Sequence, residues 1–169
     1  FQAGYLKEIV NPTRNNIKAL ILGAGGVAPS IILALIKSNV QEICVTNRTH
    51  EKSLFLKRQF KNIEVIKWQN YDDEIKNFDI IINATSLGLK NNDDFKNLFQ
   101  NVKKELVFID TIYNPGQTKM IKHLKSKNIK TYNGLDMFIY QGQKSFYTWT
   151  KKNPEINDEL INLLMSKIK

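Results

Sequence analysis

The six residues Gly23-Ala24-Gly25-Gly26-Val27-Ala28 stand directly between a short β-rich apolar run, Ile17 to Leu22, and a stretch of apolar residues at helical spacing. Glycine in the first place permits a tight strand-to-helix turn. Glycine in the third leaves the backbone bare, so an anion can come up against it, and alanine in the sixth lets the helix lie close to the strand. The first N–H groups of that helix have no partner within it and point outward with the positive end of its dipole. The chemistry such a loop can perform is the gripping of a pyrophosphate. Pro29 falls inside the first helical turn, where its missing N–H is tolerated.

A second group, one strand further on, narrows the ligand. Asn47-Arg48-Thr49 follow the run Glu42 to Thr46, and Lys52 comes three residues later. Dinucleotide-binding folds that take NAD place a carboxylate at this strand end to accept bonds from the ribose hydroxyls. Here there is none. A carboxylate would repel a 2′-phosphate, whereas the Arg48 guanidinium can pair with it bidentately or stack on the adenine. Lys52 adds a point charge, and Asn47 and Thr49 add neutral hydrogen bonds. The expectation is therefore NADP, held by Gly23, Ala24, Gly25, Gly26, Val27, Asn47, Arg48, Thr49 and Lys52.

The elements that must position these groups are legible as alternating patterns. Strands are expected at 17–22, 42–46, 63–68, 78–83, 105–110 and 129–132, and helices at 27–38, 51–60 and 119–126. Near-continuous apolar strands separated by helices indicate a parallel sheet covered on both faces. The fold class is thus α/β, a doubly wound, Rossmann-like parallel sheet of about six strands. Two helices close the chain. One spans 135–150; the other is expected to begin with Asn153 as cap, Pro154 in the first helical position and Glu155 near the positive dipole end. Its Ile156, Leu160, Leu163 and Leu164 are expected to share one packing face. Residues 90–94 read as a surface loop. Ala3 to Val10 read as the end of a helix, so 1–14 are expected to be the end of an interdomain helix with its linker, and 15–169 the dinucleotide-binding domain.

Composition sets the remaining bounds. The 169 residues are 42% apolar, which suits one packed domain and excludes a disordered composition. The lone cysteine, Cys44, rules out an internal disulfide and reads as a structural thiol in an apolar run. Together with the lack of a signal peptide or a long apolar stretch, it points to a reducing, cytoplasmic setting without membrane contact. The net charge of +9 comes from scattered lysines rather than from a dense basic block, so it reads as a solvated exterior that draws in anionic ligands, not as a nucleic-acid surface. His50 and His123 lie far apart, with no cluster at metal-ligand spacing around either.

Five segments resemble the C-terminal domain of shikimate dehydrogenase: LGAGGVA at 22–28, NRTHEK at 47–52, NATSLG at 83–88, DTIYNPGQT at 110–118 and GLDMFIYQGQKSF at 134–146. They run in order over nearly the whole chain, and the last two are the most specific. The resemblance implies that Ala84, Thr85 and Ser86 close over the cofactor after Asn83, that Thr111, Ile112, Gly134 and Met137 lie near the nicotinamide, and that Tyr113 and Gln141 reach a small-molecule substrate, shikimate or 3-dehydroshikimate. It also implies a lysine–aspartate pair and a serine-containing carboxylate-binding motif in an N-terminal substrate domain. No such segment stands here: the family aspartate falls in an Asn-Thr-Asp run, and this chain opens Phe1-Gln2-Ala3. The expected catalytic residues in this chain are therefore none, and the chain alone is expected to hold NADP without turnover. Competing readings are a quinate/shikimate dehydrogenase, a glutamyl-tRNA reductase-type NADP domain, a non-catalytic NADP-sensing module and a basic nucleic-acid binder.

Overall fold

The computed structural model describes residues 16–90, 95 and 99–168. Six strands, β1 (Lys18–Leu22), β2 (Glu42–Thr46), β3 (Ile63–Val65), β4 (Ile80–Asn83), β5 (Val107–Asp110) and β6 (Lys130–Tyr132), form one sheet in the order β3-β2-β1-β4-β5-β6, and every pairing is parallel. That is the doubly wound order, and the order reverses between β1 and β4, where such sheets bind ligands beyond the carboxyl ends of the strands. Among the described residues six α-helices accompany it: α1 (Ala28–Lys37), α2 (His50–Gln59), the single turn α3 (Tyr71–Glu74), α4 (Lys119–Ser126), α5 (Leu135–Thr150) and α6 (Asp158–Lys167).

The period-two alternation of a strand sorts the core into two layers. Ala19 and Ile21 of β1, Ile80 and Ile82 of β4, and Val107 and Ile109 of β5 join Ile31, Ile32 and Leu35 of α1 and Leu56 of α2 on one face. The residues between them, Leu20, Leu22, Ile81 and Phe108, join Tyr71, Ile75, Phe95, Phe99 and Met120, Ile121 and Leu124 of α4 on the other. Both sides of β1, β4 and β5 are dry, which is why these strands are apolar without a break. Two helices that return the chain to the sheet end alike. Asn39 and Asn128 take left-handed backbone, and the next residues, Val40 and Ile129, donate back to Leu35 and Leu124 at 3.1 and 3.0 Å.

Three expectations need correction. The last helix begins at Asp158, not at Pro154. Asn157 is its cap, its side-chain oxygen accepting the Leu160 N–H at 2.9 Å, with Asp158 and Glu159 in the first turn. The Pro154 carbonyl is instead taken by the Gln143 side-chain amide at 2.8 Å, which holds the stretch before the helix against α5. Leu163 does not share the packing face and is 56% exposed, while Ile156, Leu160 and Leu164 border an apolar groove with Phe138, Ile139 and Phe146 of α5. The third strand stops at Val65 rather than Trp68, because a 3₁₀ turn at Trp68–Asn70 takes over. The expectations for 1–14, and all but Lys90 of the 90–94 loop, lie outside the described residues.

Candidate functional site

The loop after β1 is fastened by backbone. Gly23 has φ +110° and donates its N–H to the Thr46 carbonyl at 2.7 Å. A Cβ on Gly23 would stand 2.7 Å from the Ala84 oxygen and 2.9 Å from the Thr85 methyl, so both the dihedral and the close approach of the β4 loop require glycine. Gly25 differs. A Cβ there would meet nothing within 4 Å, because the residue borders open space. Val27 sits at the cap position of α1 with no side-chain cap and no acidic residue in the first turn, so the positive end of the helix dipole is left for a ligand.

Asn47 joins this loop to the end of β2. Its side-chain oxygen accepts the Ala24 N–H at 3.2 Å and its amide donates to the Thr49 carbonyl at 2.9 Å. The Thr49 carbonyl also accepts the Lys52 N–H as α2 begins. Asn47 is thus a strut between the phosphate loop and the basic turn. Arg48, Thr49 and Lys52 are exposed.

The third wall is the turn after β4. Fully buried Asn83 donates to the Leu87 carbonyl and to Asp110 Oδ1, both at 3.0 Å, and its oxygen accepts from the Thr85 N–H at 3.0 Å and the Thr85 hydroxyl at 2.6 Å. The Thr85 hydroxyl in turn accepts the Leu87 N–H, so its polar capacity is spent inside the turn and its methyl lies against the space over Gly23. Asp110 ends β5, accepts the Ile112 N–H and the Thr118 hydroxyl, and through Thr118 reaches the cap of α4. Burial lifts the Asp110 carboxyl to about 6, against the pull of those three hydrogen bonds.

These walls enclose a cavity of about 230 Å³ lined by Gly23, Gly25, Asn47, Arg48, Lys52, Ala84, Thr85, Ser86 and Trp68. Eight of the nine are sequence-predicted. Trp68 was missed because its run reads as strand, and the signal lay in the Trp-Gln-Asn-Tyr stretch that turns away from β3. The volume is below the roughly 300–1,000 Å³ that encloses a drug-sized ligand, so it suits one end of a dinucleotide. A larger cavity of about 700 Å³ lies between α4, β6 and the end of α6, and contains none of the predicted residues.

Six further predicted residues, Thr111, Ile112, Tyr113, Gly134, Met137 and Gln141, do not line that cavity. Gly134 donates to the Ile112 carbonyl at 3.0 Å, and a Cβ on it would sit 2.0 Å from the Thr111 oxygen. Tyr113 stacks on Phe138 of α5, ring centroids 4.4 Å apart. Ile112 is buried, Met137 half-buried against the core, and Tyr113 and Gln141 exposed. Gly134 therefore locks the ends of β5 and β6 together. Cys44 is half-buried in β2, where burial pushes its thiol up to about 11. No helix among the described residues is long and apolar enough to cross a membrane.

Residues 6–136 match the family model described as shikimate/quinate 5-dehydrogenase. The chain belongs to that family. It is 50% identical over 149 residues to the shikimate dehydrogenase (NADP(+)) of Pelagibacter ubique, covering 88% of this chain and 55% of that one. A crystal structure of a shikimate dehydrogenase in complex with NADP+ superposes with a TM-score of 0.78 at 31% identity, over 99% of this chain and 60% of that one. The Thermus thermophilus enzyme, solved with NADP(H) and shikimate, gives 0.73 at 26%, over 91% of this chain and 57% of that one. The chain thus spans somewhat more than half the length of these shikimate dehydrogenases.

Proposed function

We propose that this chain is the NADP-binding portion of a shikimate dehydrogenase working in a reducing, cytoplasmic setting. One observation carries the reading: a single cavity is lined by Gly23 and Gly25 of the loop that leads into the uncapped α1, by Arg48 and Lys52, and by no carboxylate. The backbone N–H groups near Gly25 bind the pyrophosphate. Arg48 and Lys52 take the 2′-phosphate, with Thr49 and the start of α2 beside them. Ala84, Thr85 and Ser86 close over the adenosine side.

Thr111, Ile112, Gly134 and Met137 hold the nicotinamide end, and Tyr113 and Gln141 meet shikimate or 3-dehydroshikimate. The cofactor supplies the hydride chemistry when bound. These residues orient it, and rate depends on a substrate aligned against it. The Lys103–Asp79 ion pair is no replacement for the family's proton-handling pair. It lies where β4 begins, at the opposite end of the parallel strands from the cavity. The 169-residue chain is therefore expected to bind NADP+ without oxidising shikimate, and turnover of shikimate by it would refute that assignment.

Calorimetric titration of NADP+ and NAD+ tests the reading. NADP+ binds more tightly, and Arg48→Ala reduces the preference by about tenfold, the scale of one hydrogen bond to a charged group. Equal affinity for the two cofactors in the unaltered chain would sink it.

A further inference from the structure

Trp68 is placed in the cavity by a local accident of the third strand. The chain follows β2 as far as Ile66, whose N–H reaches the Val45 carbonyl at 3.0 Å. Lys67 then takes extended backbone and the 3₁₀ turn begins, closed by the Asn70 N–H on the Lys67 carbonyl at 3.0 Å. This carries a large aromatic side chain beyond the carboxyl end of the sheet, beside the end of β2 that presents Arg48. The indole is not loose. Its ring centroid lies 4.8 Å from that of Tyr71, which is itself 5% exposed, and the side chain packs against the second core layer while also bordering the cavity. A half-buried, braced indole bordering a cavity with a guanidinium and a lysine is suited to stacking with a flat heterocycle that carries an anionic ester.

We infer that Trp68 forms an aromatic wall for the adenine ring of the cofactor and sets the affinity of its adenosine end. This rests on the NADP reading above. Trp68 and Arg48 then grip different parts of one ligand: the indole takes the base, which NAD and NADP share, and the guanidinium takes the phosphate that distinguishes them. Removal of the indole therefore weakens both cofactors alike, and removal of the guanidinium weakens NADP alone.

The chain has two tryptophans, and Trp149, on α5, is 81% exposed and absent from the cavity lining. In a Trp149→Phe background, Trp68 is the sole indole, and titration with 2′,5′-ADP quenches its emission. By calorimetry, Trp68→Leu weakens 2′,5′-ADP and 5′-AMP by the same factor, about tenfold, whereas Trp68→Phe stays within about threefold of the unaltered chain. Binding of 2′,5′-ADP that leaves Trp68 emission unchanged overturns the inference and spares the NADP reading. A folded Trp68→Leu chain with unaltered affinity does the same. If the leucine variant does not fold, the quenching and the phenylalanine variant decide. No binding of 2′,5′-ADP to the unaltered chain overturns both.

Discussion

Asp110 gives the sharpest energetic test of the framework under the site. Its carboxyl is fully buried and joins Asn83, Ile112 and Thr118. Burial disfavours the ionised form and lifts the group from 3.8 to about 6. A carboxyl whose value is raised on folding stabilises the native state while it is protonated. That contribution is complete below about pH 4, declines through the interval from 4 to 6, and is gone above the folded value. Two units correspond to about 3 kcal/mol. Asp110→Asn keeps the shape. The new side-chain oxygen accepts from Asn83 and Ile112 as Oδ1 does, and the new amide donates to the Thr118 hydroxyl, which turns its own proton away. Urea unfolding of both chains from pH 4 to pH 7 should show their stability difference moving by about 3 kcal/mol in favour of the asparagine chain as pH rises. Taking the difference cancels the other carboxylates, whose environments the two chains share. Parallel profiles, with a constant difference, would refute the argument that desolvation outweighs the three hydrogen bonds at this position.

Further outcomes follow from the other parts of the site. Gly134→Ala drives a Cβ to 2.0 Å from a backbone oxygen, so it should lower the melting temperature by well over 5 °C or prevent folding, measured by circular dichroism. Gly25→Ala points its methyl into open space and should leave the melting temperature within about 2 °C while lowering NADP+ affinity about tenfold or more. Asn157→Ala removes the cap of a peripheral helix at a local cost of about 1 kcal/mol, read as faster amide hydrogen exchange in α6 with protection in β1 unchanged.

How much of this was legible beforehand divides by mechanism. The central strands β1, β4 and β5 were readable because each is a short apolar block between polar breaks, dry on both faces, whereas the edge strands β3 and β6, Ile-Glu-Val and Lys-Thr-Tyr, were read from their place in the alternation of strands and helices. The glycine loop was readable because its constraint is local: Gly23 needs a positive φ and Gly25 needs empty space, and both demands select the residue type. The end of β3 was not readable. Ile66, Lys67 and Trp68 continue a plausible strand pattern, and only the pairing limit set by the end of β2 makes them turn. The start of α6 was misread because Asn153-Pro154-Glu155 and Asn157-Asp158-Glu159 carry nearly the same start signal. The choice between them came from Gln143, eleven residues upstream of Pro154, which claims the Pro154 carbonyl. Propensity read along the chain contains no term for such a contact.

The same division explains the architecture of the site. Its polar side chains mostly face inward to the framework: Asn47 to the glycine loop, Thr85 and Asn83 to their own turn, Asp110 to the cap of α4. Each fixes one strand end relative to its neighbour, so the backbone groups that meet a ligand are held by bonds made before the ligand arrives. Of the positions proposed to meet the cofactor, Gly25 is bare and Arg48 and Lys52 are exposed and cationic. Preorganisation of this kind lowers the ordering cost of binding. It also separates two kinds of damage: changes at Asn83, Asp110 or Gly134 should cost stability first and affinity through it, while changes at Gly25, Arg48 or Trp68 should cost affinity in a chain that remains folded.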